Sequence, residues 1–161
     1  YYISLGTIFN RNKKLLDAII EQLGSHPGKS GPPVVLIWDT TKDDAEISFP
    51  ENFIVRPFVN QNEILKHASL FITAGGVNSI HEALYFQVPC LLCPQQGEQL
   101  VNARQFERLG FGKILRNPEN LLREAAACME LRTQWDQQKR QKLTAVALKQ
   151  TLELLLSEHT D

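Results

Sequence analysis

Leu70-Phe-Ile-Thr-Ala-Gly-Gly-Val-Asn-Ser-Ile-His-Glu-Ala-Leu84 is an apolar run that breaks at paired glycines and restarts with helical spacing. In α/β proteins such a strand, turn and helix bring backbone N–H groups against a phosphate. Val88-Pro-Cys-Leu-Leu-Cys-Pro-Gln-Gln-Gly-Glu-Gln99 follows with a second short apolar run that closes on a polar turn. Two such units in succession predict βα units on a parallel sheet, with function at their turns.

Outward from this centre the same alternation continues. Strands are predicted at residues 1–5, 34–38, 53–56, 70–73, 90–93 and 113–115, and helices at 13–23, 63–68, 79–86, 99–109, 119–129 and 133–156. The helix at 13–23 is the clearest, because Leu15, Leu16, Ile19, Ile20 and Leu23 form one stripe and Gly24 ends it. The fold class expected is a Rossmann-like, doubly wound, six-stranded parallel sheet with helices on both faces, ordered 3-2-1-4-5-6. Ligands then bind where the order reverses, between strands 1 and 4. Gly6-Thr7 and Ala74-Gly75-Gly76 end those two strands.

The chain of 161 residues, with a net charge of −1, suits a single domain over residues 1–161 and offers no nucleic-acid footprint. Three cysteines without a signal-like start fit a reducing compartment, so a cytoplasmic protein is expected. No apolar run approaches the roughly 20 residues of a membrane span. Tyr1-Tyr-Ile-Ser-Leu-Gly6 already reads as a core strand, which suggests a piece of a longer protein cut at a domain boundary.

Several motifs are decoys. Gly24-x-x-x-Gly28-Lys29-Ser30 resembles a phosphate loop but is one residue short and leads from a helix into a strand, the reverse of what that motif requires. Cys90 and Cys93 have C-x-x-C spacing within an apolar strand, where alternation sends them to opposite faces and argues against metal or redox work. His81 reads as a helix-surface or packing residue. No Asp-x-Asp pair is present to hold a metal at a diphosphate, consistent with helix-end N–H groups serving instead. Ser79-Ile-His-Glu82 fits a capping box, a structural reading that competes with any ligand role for Glu82.

Taken with Ser4-Leu-Gly-Thr7, Asn52-Phe-Ile-Val-Arg-Pro-Phe58, Val88-Pro and Pro94-Gln-Gln-Gly-Glu-Gln-Leu-Val-Asn102, the central motif resembles the C-terminal half of GT-B glycosyltransferases. Within these it is most similar to the UDP-dependent branch that includes bacterial macrolide-type and plant secondary-metabolite enzymes. The resemblance covers nearly the whole chain. It implies the donor-binding half of an inverting, metal-independent transferase that moves a sugar from a UDP-sugar to a small-molecule hydroxyl, with UDP-glucose the expected donor and no further cofactor. The implied partner is an N-terminal acceptor-binding domain that carries the general base, so no catalytic residue is assigned here and the chain alone should bind but scarcely turn over. The last helix, from about 133 onward, is expected to pack against that domain, and its apolar stripe would otherwise promote self-association.

The resemblance also assigns roles. Phe58 is placed against the uracil, as opposed to closing the core, and Gln61 near the base and ribose. Glu82 accepts both ribose hydroxyls, which suits an acceptor-only carboxylate. Gly75, Gly76, Asn78 and Ser79 sit where the diphosphate lies, with Thr7 donating a hydroxyl to it. Glu98 and Gln99 match the sugar clamp, with Asn102 orienting the pair or facing solvent. Two positions depart from the pattern: Ala74 replaces the usual His, a loss for donor affinity, and Gln87 replaces the Gly that usually closes the helix. The alternatives are a non-catalytic nucleotide-sugar-binding subunit that needs a partner, and a sugar-nucleotide epimerase of the same architecture. A nicotinamide dehydrogenase is disfavoured because no G-x-G-x-x-G is present.

Overall fold

A computed structural model describes residues 1–6, 12–42 and 47–134. Its strands are β1 (Tyr2–Ser4), β2 (Val34–Ile37), β3 (Phe53–Arg56), β4 (Phe71–Thr73), β5 (Cys90–Leu92) and β6 (Gly112–Ile114). They form one sheet in the order β3-β2-β1-β4-β5-β6 with every pairing parallel. β1 and β4 are neighbours in register, Tyr2 opposite Phe71 and Ser4 opposite Thr73, so their exits open side by side. The expected order therefore holds, and with it the position of the switch point.

The helices are α1 (Lys13–Leu23), α2 (Gln61–Leu65), α3 (Val77–Tyr85), α4 (Gly97–Arg108) and α5 (Leu121–Gln134). α1 and α5 cover one face through Leu15, Leu16, Ile19, Leu121, Ala125 and Cys128, packed on Ile3, Leu36, Ile72 and Leu91. α2, α3 and α4 cover the other through Leu65, Ile80, Leu84, Ala103 and Phe106, packed on Tyr2, Phe71, Cys90 and Leu92. Alternate strand residues thus feed two cores, and the central strands are buried on both sides, as a parallel sheet requires.

Several helix starts differ from expectation. α2, α3 and α4 each begin two residues earlier, at Gln61, Val77 and Gly97. The Asn60 side chain accepts from Glu63 N at 3.4 Å and caps α2. Gly76 is the N-cap of α3 and supplies no side-chain cap bond. The capping-box reading of Ser79 and Glu82 is therefore corrected: Ser79 is the third residue of the helix and Glu82 lies beyond its first turn. α5 starts two residues late, after a 3-10 turn at Pro118–Asn120 that Asn117 caps by accepting from Glu119 N at 3.1 Å. α5 runs to Gln134 without the break expected between residues 129 and 133, and the rest of the helix expected from 133 onward, with the self-association inferred from its stripe, lies outside the described residues.

The loop carrying Lys29 and Ser30 is a tight turn bridged between His26 and Lys29, at the entry to β2 and so at the opposite end of the sheet from the switch point. Cys90 and Cys93 fall in the two different cores. Burial pushes the Cys90 thiol well above its ordinary value and those of Cys93 and Cys128 up to about 12, so all three remain inert thiols.

Candidate functional site

At the exit of β4 the chain turns through Ala74 and Gly75 and enters α3. Gly75 has φ +84°, a left-handed conformation that a side chain disfavours. A Cβ added there would lie 3.4 Å from the Gln99 carbonyl oxygen and 3.5 Å from Leu92 Cδ2, so α4 begins against this turn. At Gly76 an added Cβ would meet nothing within 4 Å, which leaves the helix start open to an approaching ligand. The first helical bond runs from Ile80 N to Gly76 O at 3.1 Å, so the N–H groups of Val77, Asn78 and Ser79 precede the helical ladder. Together with the helix dipole they are main-chain donors of the kind that take an anion at a helix start.

Two side chains hold this turn. Thr73, almost fully buried, accepts from Gly75 N at 3.4 Å through its hydroxyl. Asn102 Nδ2 donates to Gly75 O at 3.3 Å, so Asn102 fastens the glycine turn to α4 in place of orienting Glu98 and Gln99.

Beside the turn, Gln61 joins three groups. Its Nε2 donates to Glu82 Oε2 at 2.5 Å and to Ser79 Oγ at 3.5 Å, while its Oε1 accepts from the Tyr2 hydroxyl at 3.0 Å. Tyr2 is 2% exposed, and its ring stacks on Phe71 with centroids 4.8 Å apart. Burial, reinforced by the Glu82 charge and opposed by a bond with Ser4, pushes its phenol up to about 12. Tyr2 therefore stays a donor across the physiological range. Phe58, three residues before Gln61, is 82% exposed, so its ring closes no core and presents a bare face to solvent.

Of the sequence-derived residues, Gln61, Ser79 and Glu82 are bonded together, and Gly75, Gly76 and Asn78 adjoin them on one turn. Gln99 Oε1 accepts from Gln95 N at 2.9 Å, which shapes the turn leading into α4. Glu98 is exposed at the start of α4. Thr7 lies outside the described residues. Sequence reasoning missed Tyr2, whose aromatic side chain in a strand reads as core, and Gln95, whose Nε2 is buried without a partner at the polar turn. His81 Nε2 is likewise buried and unpartnered, and burial lowers its pKa. His81, Glu82 and Tyr85 border a groove of about 420 Å³ between α2 and α3. No group of three or more potential metal ligands occurs among the described residues, and no helix among them is long and apolar enough to cross a membrane.

Residues 18–153 match the family model described as the glycosyltransferase family 28 C-terminal domain. The chain is 44% identical over 126 residues to an uncharacterized UDP-glucosyltransferase, YojK, of Bacillus subtilis, covering 76% of this chain and 30% of the relative. It is 42% identical over 130 residues to the NDP-glycosyltransferase YjiC of Bacillus licheniformis, covering 78% of this chain and 32% of that protein. Among solved structures it is similar to the glycotransferase of kitacinnamycin, with a TM-score of 0.69 and 26% identity over 91% of this chain and 37% of that one. The chain thus spans about a third of the length of these curated relatives.

Proposed function

The chain belongs to the glycosyltransferase family 28 C-terminal domain family, and from that premise we propose that it is the donor-binding half of an inverting, metal-independent UDP-sugar glycosyltransferase acting on small-molecule hydroxyls. The observation that carries this reading is the meeting, at the β1/β4 switch point, of an open helix start with the Gln61–Glu82 pair. Main-chain N–H groups of residues 77–79 would take the diphosphate, Glu82 the ribose hydroxyls, and Phe58 the base. Glu98 and Gln99 would take the sugar, UDP-glucose being the donor proposed. Ala74 offers no polar group, so phosphate binding rests on the main chain. As the bond to the sugar breaks, negative charge grows on the UDP, and preorganised N–H donors stabilise it. Deprotonation of the acceptor is assigned to an N-terminal domain, and the chain alone would bind donor with little turnover. Its three buried, free thiols suit a cytoplasmic setting.

Calorimetric titration of UDP, UDP-glucose, UDP-GlcNAc and dTDP-glucose tests this reading. Glu82→Ala should weaken uridine nucleotides by about one to two decades, the worth of hydrogen bonds to a charged group. Equal affinity in Glu82→Ala would remove the ribose assignment, and no binding by the parent would remove the donor site.

A further inference from the structure

We propose that Tyr2 is a positioning residue that, acting through Gln61, sets a preference for ribose over 2′-deoxyribose in the nucleotide; this rests on the donor-site reading above. A glutamine amide has an accepting end and a donating end of nearly equal shape. Which end faces Glu82 decides what Glu82 and its neighbour together recognise. The Tyr2 hydroxyl donates to Gln61 Oε1 at 3.0 Å, so the carbonyl end is held toward β1. The donating end then faces Glu82 Oε2 at 2.5 Å and Ser79 Oγ at 3.5 Å. A reversed amide would set a carbonyl oxygen against the carboxylate and take away the Gln61 oxygen to which the Tyr2 hydroxyl donates.

This orientation creates a paired donor and acceptor in one place. A 2′-hydroxyl arriving at Glu82 can donate its proton to the carboxylate while its oxygen accepts from Gln61 Nε2. A 2′-deoxyribose offers neither, so the Gln61 and Glu82 groups it displaces find no replacement, and sites built on polar pairs reject analogues that lack the matching hydroxyl. Tyr2 touches none of this directly. Its ring, buried and stacked on Phe71, fixes the phenol oxygen with little freedom to move.

The test is titration of UDP and 2′-deoxy-UDP into the 161-residue chain, the Tyr2→Phe and Gln61→Met variants and the double variant. Tyr2→Phe keeps the ring and its stacking and removes one oxygen. UDP affinity should fall about threefold to tenfold, the range of one neutral hydrogen bond, while 2′-deoxy-UDP affinity changes less than about twofold. Gln61→Met should narrow the preference at least as far, and Tyr2→Phe should add nothing to it, since both act on one contact. A merely structural Tyr2 would lower the melting temperature and weaken both nucleotides alike. An unchanged UDP to 2′-deoxy-UDP ratio in either single variant, or additive effects in the double, would overturn the proposal while leaving the donor site standing. If Tyr2→Phe fails to fold, Gln61→Met on the surface-facing α2 still decides. A parent chain that binds neither nucleotide would overturn the donor site, and this inference with it.

Discussion

Gln87 is the one non-glycine residue with positive φ among the described residues, at +56°. It closes α3 in a Schellman motif: Gln87 N donates to Leu84 O at 3.0 Å and Val88 N to Ala83 O at 2.9 Å. α4 closes identically, through Gly110 N to Glu107 O and Phe111 N to Phe106 O, but with glycine at φ +78°. The left-handed conformation costs an L-residue about 1 kcal/mol or slightly more. Gln87→Gly should therefore raise the melting temperature by about 2–4 °C for a domain of this size. It should leave nucleotide affinity unchanged, because the site lies at the other end of α3; an unchanged or lower melting temperature would contradict the strain. This departure was legible in the sequence, since a helix end without glycine stands out. Tyr2 was not, because an aromatic in a buried strand packs in the same way whether or not its hydroxyl has a task.

At the level of elements, the central strands β1, β4 and β5 were readable because each is a short run buried on both faces. Helix starts were less so. Ser79 and Glu82 satisfy the capping-box spacing, yet the turn geometry at Gly75 lets α3 begin at Val77, with Gly76 as its N-cap, before Ser79 is reached. The same shift frees Ser79 and Glu82 for Gln61, a contact between α2 and α3 that no local pattern announces. A second contact between elements ties α4 to β6. Glu107 Oε1 accepts from Ile114 N at 2.9 Å, and Glu107 Oε2 pairs with Arg116 at 2.7 Å. The Arg116 bond, more than any other cause, holds the Glu107 carboxyl below its ordinary value of 4.5. A depressed carboxyl stabilises the fold above that ordinary value, and the contribution is lost as pH falls through the lower folded value. Arg116 is largely exposed, so the effect is modest and salt-sensitive. Urea midpoints below about pH 4.5 should fall less steeply in Glu107→Gln than in the parent; parallel curves would show that the pair contributes nothing.

For the molecule as a whole, the sheet order and both cores follow from the alternation of apolar runs, and the switch point follows from the order. The distribution of roles around that point did not, because Gln61, Glu82 and Tyr2 come from three elements distant in sequence. The proposed donor site is contained within this chain, since every described group assigned to the nucleotide lies at one mouth of one sheet. The acceptor site and the general base are proposed to lie outside this chain, which spans about a third of the length of the relatives it matches. The most direct test of the diphosphate cradle is to follow backbone amide resonances by NMR while UDP is added in the presence of EDTA. The amides of Val77, Asn78 and Ser79 should shift and saturate together, and inorganic pyrophosphate should move the same three. UDP binding that leaves these amides in place, or that appears only when a divalent metal is supplied, would contradict the account.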